Sequence, residues 1–166
     1  MSRSKSINFP NTEGELSNVL DKLQRATVNS LLTSGALAIH GASSPNAKTT
    51  ATMYYLLDGQ LYSKAATDPL TALSGTVTNA KFNAFVFSIN SAGTVSVQMG
   101  TEAATLGAVT LPTVTDGNVP FGMIVVNPTG TGNFVGGTTN LDDGTVVPNA
   151  VYINLVGEFF PQFATI

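Results

Sequence analysis

After Gly35 the sequence consists of short apolar runs cut apart by Gly, Pro, Asn and Asp, a grammar that restricts the body of the chain to β architecture. Residues 50–57 and 60–65 flank Asp58-Gly59, which accepts positive φ at both central positions of a two-residue turn, so a type I′ hairpin is predicted there. Residues 82–90 and 94–99 flank Ser91-Ala92-Gly93 and give a second hairpin. In its second arm Val95, Val97 and Met99 alternate with Thr94, Ser96 and Gln98, which predicts one buried and one wet face. The first arm is apolar on both faces, as befits a central strand of a β-sandwich or barrel. Residues 121–126, 133–135 and 151–156 complete the strand list, and residues 68–78, opening on Asp68-Pro69, are expected to form a loop. Gly-Thr-Val or Gly-Ala-Val steps at Gly75, Gly93, Gly107 and Gly144 fall at unequal separations, so they mark turn-to-strand junctions and not a repeat architecture.

Ahead of Gly35 the spacing is different. Thr12-Glu13-Gly14-Glu15 has the capping-box pattern, in which the Thr hydroxyl accepts the N3 amide and Glu15 reaches back to the N-cap amide. Leu16, Val19, Leu20, Leu23, Ala26 and Leu31 follow at spacings suited to one amphipathic helix, with Gly35 as its C′ residue. Its apolar stripe either forms a coiled-coil seam, which Thr27 and Ser30 interrupt, or packs on the body. Residues 1–11 are polar and end on Phe9-Pro10; they are an extended arm with an aromatic anchor or a disordered terminus. The expected organisation is therefore an arm and helix over residues 1–35 and a β body over residues 36–166. The aromatic end, Phe159, Phe160 and Phe163, must dock on its own core or seat against a neighbouring subunit.

Charge narrows the function classes. Only 10% of residues are charged while 43% are hydrophobic, so the surface has little electrostatic repulsion to keep copies apart, and assembly is expected. Up to residue 81, seven Lys and Arg face five acids, a balance of +2. The remainder has five acids and no Lys or Arg, a balance of −5, which is a poor basis for nucleic-acid binding. No apolar stretch approaches the length of a membrane-spanning helix, and residues 1–10 lack the apolar segment of a secretory signal, so no membrane partner is expected. The chain has no cysteine, which removes disulfides, thiolate metal sites and cysteine nucleophiles together.

Catalytic candidates fail on the same scarcity. His40 is the only histidine and would have to serve any triad built with Ser43 or Ser44 and Asp58 or Asp68, but no nucleophile-elbow motif accompanies it. We read it as a turn or interface residue. The segment 41–49 ends in Lys48-Thr49 like a phosphate-binding loop, yet Ala42 and Ala47 stand where backbone amides must approach phosphate, and a strand is predicted to follow. Gly130-Thr131-Gly132 lacks the third glycine of a dinucleotide loop. Asn140-Leu141-Asp142-Asp143-Gly144 lacks the register and closing acid of a calcium loop. Glu102, Asp116 and Glu158 are too scattered to claim as a carboxylate pair. No enzyme activity, cofactor or metal is expected.

Over residues 82–156 the run Phe85-Val86-Phe87-Ser88-Ile89, Gly93-Thr94-Val95-Ser96-Val97, Leu111-Pro112, Val119-Pro120-Phe121-Gly122-Met123-Ile124-Val125-Val126, Phe134-Val135-Gly136-Gly137-Thr138-Thr139 and Leu141-Asp142 resembles a β-domain of tailed-bacteriophage virion proteins. The resemblance implies a multicopy particle component, such as a capsid decoration protein or head-fibre subunit, commonly trimeric and without catalytic residues. It implies contacts with its own copies and with the major capsid or another virion protein, after assembly in the host cytoplasm. The expected attachment residues are Arg3, Lys5, Phe9, Leu16, Leu20 and Leu23, and the expected inter-subunit residues are Phe159, Phe160 and Phe163. The alternative is a receptor- or glycan-binding module of a tail fibre, with Tyr54, Tyr62 or Tyr152 stacking on sugars.

Overall fold

The computed structural model describes residues 29–157. In chain order they form β1 (Ser30–Leu31), β2 (Leu37–Ile39), β3 (Ala47–Thr49), β4 (Met53–Leu57), β5 (Gln60–Lys64), β6 (Thr76–Val77), β7 (Asn83–Asn90), β8 (Val95–Met99), β9 (Asn118–Val126), β10 (Phe134–Val135) and β11 (Val151–Asn154). One 3-10 turn, Leu106–Ala108, is the sole helical element among the described residues. The fold is mainly β, in several antiparallel sheets: β1-β4-β5, β11-β9-β7-β8, and the pairs β2-β3 and β10-β6.

Both predicted hairpins form. Asp58 and Gly59 take φ of 51° and 77°, the turn that Asp-Gly supports, and Leu57 pairs with Gln60 across it. Gly93 takes φ of 75° in the second turn, where its N–H bonds the carbonyl of Asn90. The apolar arm of that hairpin is β7, central in its sheet and buried from Asn83 to Ile89. The expected contrast of faces on β8 is muted: Val95 and Val97 pack on the core, but every residue from Val95 to Gln98 is only half-buried and Met99 is exposed, because β8 is an edge strand.

The end of the expected helix is corrected. Leu31 belongs to a strand, pairs with Tyr55 and is buried, because one apolar residue satisfies a two-residue period as readily as a helical one. Gly35 is not a left-handed C′ residue; Ala36 takes the positive φ, 51°. Gly35 is instead closely packed, since a Cβ there would lie 3.0 Å from the Thr49 methyl. The rest of the predicted helix, residues 12–28, and the arm lie outside the described residues. Two smaller corrections concern extended segments: the strand expected over residues 50–57 starts only at Met53, after a bend at Ala51 that separates β4 from β3, and the expected loop 68–78 contributes β6, which pairs with β10.

Residues of the two larger sheets join a single apolar cluster. Leu31, Met53, Tyr55 and Leu57 come from one sheet, and Phe85, Phe87, Ile89, Val119, Phe121 and Ile124 from the other. A bulge in the β7–β9 pairing sits between Phe87 and Ser88, where Gly122 faces Phe87 and Pro120 faces Ser88, leaving Phe121 as the extra residue. That irregularity accommodates Pro120, which has no N–H for the ladder, and sets the Phe121 ring 5.9 Å from Phe87. Phe134 on β10 closes one end, meeting Phe85 edge-on at 5.8 Å.

The second face of the large sheet is covered locally. Strands β8 and β9 flank β7 and both run antiparallel to it, so residues 100–117 must travel the length of β7 across one face. Ala84, Val86 and Ser88 are buried outside the apolar cluster, as is Val114 in the connection, which places it over that face. Gly100 permits the approach: a Cβ there would lie 2.5 Å from the Thr110 carbonyl oxygen.

Candidate functional site

Strand alternation divides the β1-β4-β5 sheet into two unlike faces. Tyr55 and its neighbours point into the core, so Tyr54 and Leu56 on β4, Leu61 and Ser63 on β5, and Ser30 on β1 point outward. Leu32 extends this face just past β1, held where its N–H donates to the Tyr54 carbonyl at 2.9 Å and the Thr33 hydroxyl accepts the Tyr54 N–H. The six side chains carry no charge, and three are large and exposed: Leu32 and Tyr54 at 45% and Leu61 at 62%. The exposed side chains thus lie together on one uncharged face and are not scattered singly over the surface.

The tyrosines expected to stack on sugars are not equivalent. Tyr62 stacks on Tyr55, with ring centroids 5.6 Å apart, and its hydroxyl donates to the Gln60 amide oxygen. Tyr152 packs against the core with its hydroxyl buried and without a hydrogen-bond partner, and burial, reinforced by the nearby Asp142, pushes its pKa up to about 12. Only Tyr54 of the three turns its ring to solvent.

A polar cluster gathers at the β2–β3 hairpin. His40 Nδ1 bonds Asp68 Oδ1, and Lys48 Nζ lies 3.6 Å from the other carboxylate oxygen. The His40 hydrogen bond, aided by the Lys48 charge, holds the Asp68 carboxyl below its usual range. Asp142 accepts the Ser43 N–H at 2.8 Å, and Leu141 donates to the Ser44 carbonyl at 2.9 Å, so the 41–49 loop is fastened to the 140–144 turn. The fold thus brings His40 and Asp68 together but completes no triad. The Ser44 hydroxyl is engaged with the Asn46 backbone, Ser43 is held through its N–H, and Asp58 lies at the β4–β5 turn, where its N–H donates to Asn29. The His40–Asp68 pair is exposed, at 43% and 44%, where solvent screens it.

The remaining sequence candidates resolve into loop fastenings. Asp143 accepts the backbone N–H of Thr145, which lowers its pKa, so this carboxylate closes its own turn. Glu102 accepts both the N–H and the hydroxyl of Thr78 at 2.8 Å, which likewise lowers its pKa. Among the described residues no group of three His, Cys, Asp or Glu side chains can hold a metal ion. Lys48-Thr49 lies at the end of strand β3 and not at a helix start, and the next strand, β4, begins at Met53. Gly130 is a packing glycine, because a Cβ there would fall 1.6 Å from the Thr145 carbonyl oxygen.

The exposed sheet face was missed by sequence reasoning; the signal for it was the run Tyr54-Tyr55-Leu56-Leu57, apolar on both sides of a strand beside a tight turn. The expected attachment residues Arg3, Lys5, Phe9, Leu16, Leu20 and Leu23, the expected inter-subunit residues Phe159, Phe160 and Phe163, and Glu158 all lie outside the described residues. In comparisons with known proteins, no family model, no curated protein and no solved structure matches this chain.

Proposed function

We propose that this chain is a structural subunit of a tailed-bacteriophage particle, a capsid decoration or head-fibre protein that acts through repeated protein–protein contacts and performs no catalysis. One observation carries the reading: the outer face of the β1-β4-β5 sheet is uncharged and exposes Leu32, Tyr54 and Leu61 on a chain in which only 10% of residues are charged. Apolar surface held this way gains from burial against another subunit, and many modest contacts add up through multivalency. The body is then a small β-sandwich, its two larger sheets contributing to one apolar cluster. It assembles with its own copies, a trimer by the resemblance given above, on the major capsid or another virion protein. The N-terminal arm and helix, with Arg3, Lys5, Phe9, Leu16, Leu20 and Leu23, serve attachment, and Phe159, Phe160 and Phe163 serve contacts between subunits. Neither nucleic acid nor membrane is a partner.

The test is an image of purified particles from the source, with the chain's copy number measured. Regular sites on the particle surface, lost when residues 1–11 are deleted, are expected; absence of the chain from every particle refutes the reading. A second reading, a receptor- or glycan-binding module of a tail fibre, draws on the exposed ring of Tyr54. It requires glycan or host-cell binding by the purified chain that Tyr54→Ala abolishes.

A further inference from the structure

The geometry points to the free edge of β5 as a self-pairing interface, through which a second copy of this chain extends the β1-β4-β5 sheet. The inference rests on the reading of the chain as an assembling subunit and names one contact by which it assembles. Among the described residues, strand β5 pairs only with β4. Tyr54 turns its backbone toward β1, where its carbonyl accepts the Leu32 N–H. Its cross-strand partner Ser63, and Leu61 two residues before, therefore aim their N–H and C=O groups away from β4. No other described segment bonds those groups. An edge of this kind is a template for another strand unless it is short, charged, bulged or broken by proline.

Strand β5 has few of those protections. It is five residues long, regular and without proline, and it exposes Leu61 at 62%. Its one charge, Lys64, lies with its stem against the second hairpin's turn, Cδ being 3.6 Å from where a Gly93 side chain would begin. The occupant is argued from the strand itself. An antiparallel copy centred on Tyr62 sets Leu61 of each chain opposite Ser63 of the other, giving two reciprocal pairs of backbone hydrogen bonds. In that register Lys64 faces Gln60, so no like charges oppose each other. The outer faces carrying Leu61, Tyr54 and Leu32 then run on from one chain into the next. A two-fold contact joins chains in pairs; in a trimeric component it links one trimer to another.

The test uses the full chain. Ser63→Pro removes an outward N–H and leaves the β4–β5 ladder its own bonds, so the variant is expected to fold, by circular dichroism and thermal melt, while self-association weakens by roughly tenfold or more. Leu61→Lys gives the same loss by a different route and answers the question if the proline variant fails to fold. Because the chain has no cysteine, register is read directly. An oxidised mixture of Leu61→Cys and Ser63→Cys chains yields a covalent dimer, and neither variant alone does so. A folded Ser63→Pro chain that assembles like the wild type, together with an uncrosslinked mixture, overturns the edge contact but leaves the assembling role intact. A monomeric wild-type chain with Leu61 and Ser63 amides protected from exchange overturns it too, since another stretch of the same chain then covers the edge.

Discussion

The phenol of Tyr55 donates a 2.9 Å hydrogen bond to the carbonyl of Asn90, tying the central strand of the β1-β4-β5 sheet to the end of β7. Its ring is fully buried, so the bond satisfies a polar atom that the core would otherwise strand. Tyr55→Phe keeps the ring and removes one of the two hydrogen bonds to the Asn90 carbonyl, leaving the one from the Gly93 N–H. Urea unfolding is expected to show a loss of about 1 kcal/mol.

Tyr152 is the opposite case, with a buried hydroxyl that has no partner. Tyr152→Phe is expected to match or exceed the wild type in stability, by up to about 1 kcal/mol, because nothing is lost and a desolvated oxygen is removed. Its raised pKa also predicts a pH effect. The unfolded chain ionises this phenol from about pH 10, while the folded chain resists until about pH 12, so stability intact below that window is lost as pH rises through it. The Phe variant is expected to lose less across the same window in denaturant titrations.

Gly130→Ala tests the packing role given to that glycine. The added methyl collides with the Thr145 carbonyl and must push apart segments joined by the 2.9 Å bond from the Thr131 N–H to that same oxygen. A loss of roughly 1–3 kcal/mol is expected in chemical unfolding. Gly144→Ala, with open space around the glycine, is the comparison and is expected to cost less.

At the acid end, Asp68, Glu102 and Asp143 all titrate below their ordinary values of 3.8, 4.5 and 3.8. The unfolded chain therefore takes up protons first as pH falls. The stability these groups add is complete above their ordinary values and disappears as pH drops through the lowered folded ones. Glu102→Gln is expected to flatten the fall in urea midpoint between about pH 5 and pH 3 relative to the wild type.

What the sequence made legible was local. Asp58-Gly59 and Ser91-Ala92-Gly93 carry their turn geometry in two or three residues, and β7 declares its central place by being apolar on both faces. Strand partners further apart were not legible. Phe134 meets Val77 and Leu31 meets Tyr55 through strands of two residues, too short to carry a period, so tertiary packing decides them. Likewise, His40 and Asp68 were nameable as residues able to pair, while the Ser43–Asp142 fastening joins a backbone amide to a side chain 99 positions away and leaves no mark on composition or spacing. The outward face of β4 was hidden because an exposed strand face rich in Tyr and Leu has the same pattern as a buried one.

The most direct measurement is the mass of the full-length chain in solution by light scattering across a wide concentration range. A species heavier than one chain, dissociating on dilution and shifted toward the single chain by replacing Leu32, Tyr54 and Leu61 with polar residues, is the predicted result. The mass of a single chain at every concentration, unchanged by those replacements, contradicts it.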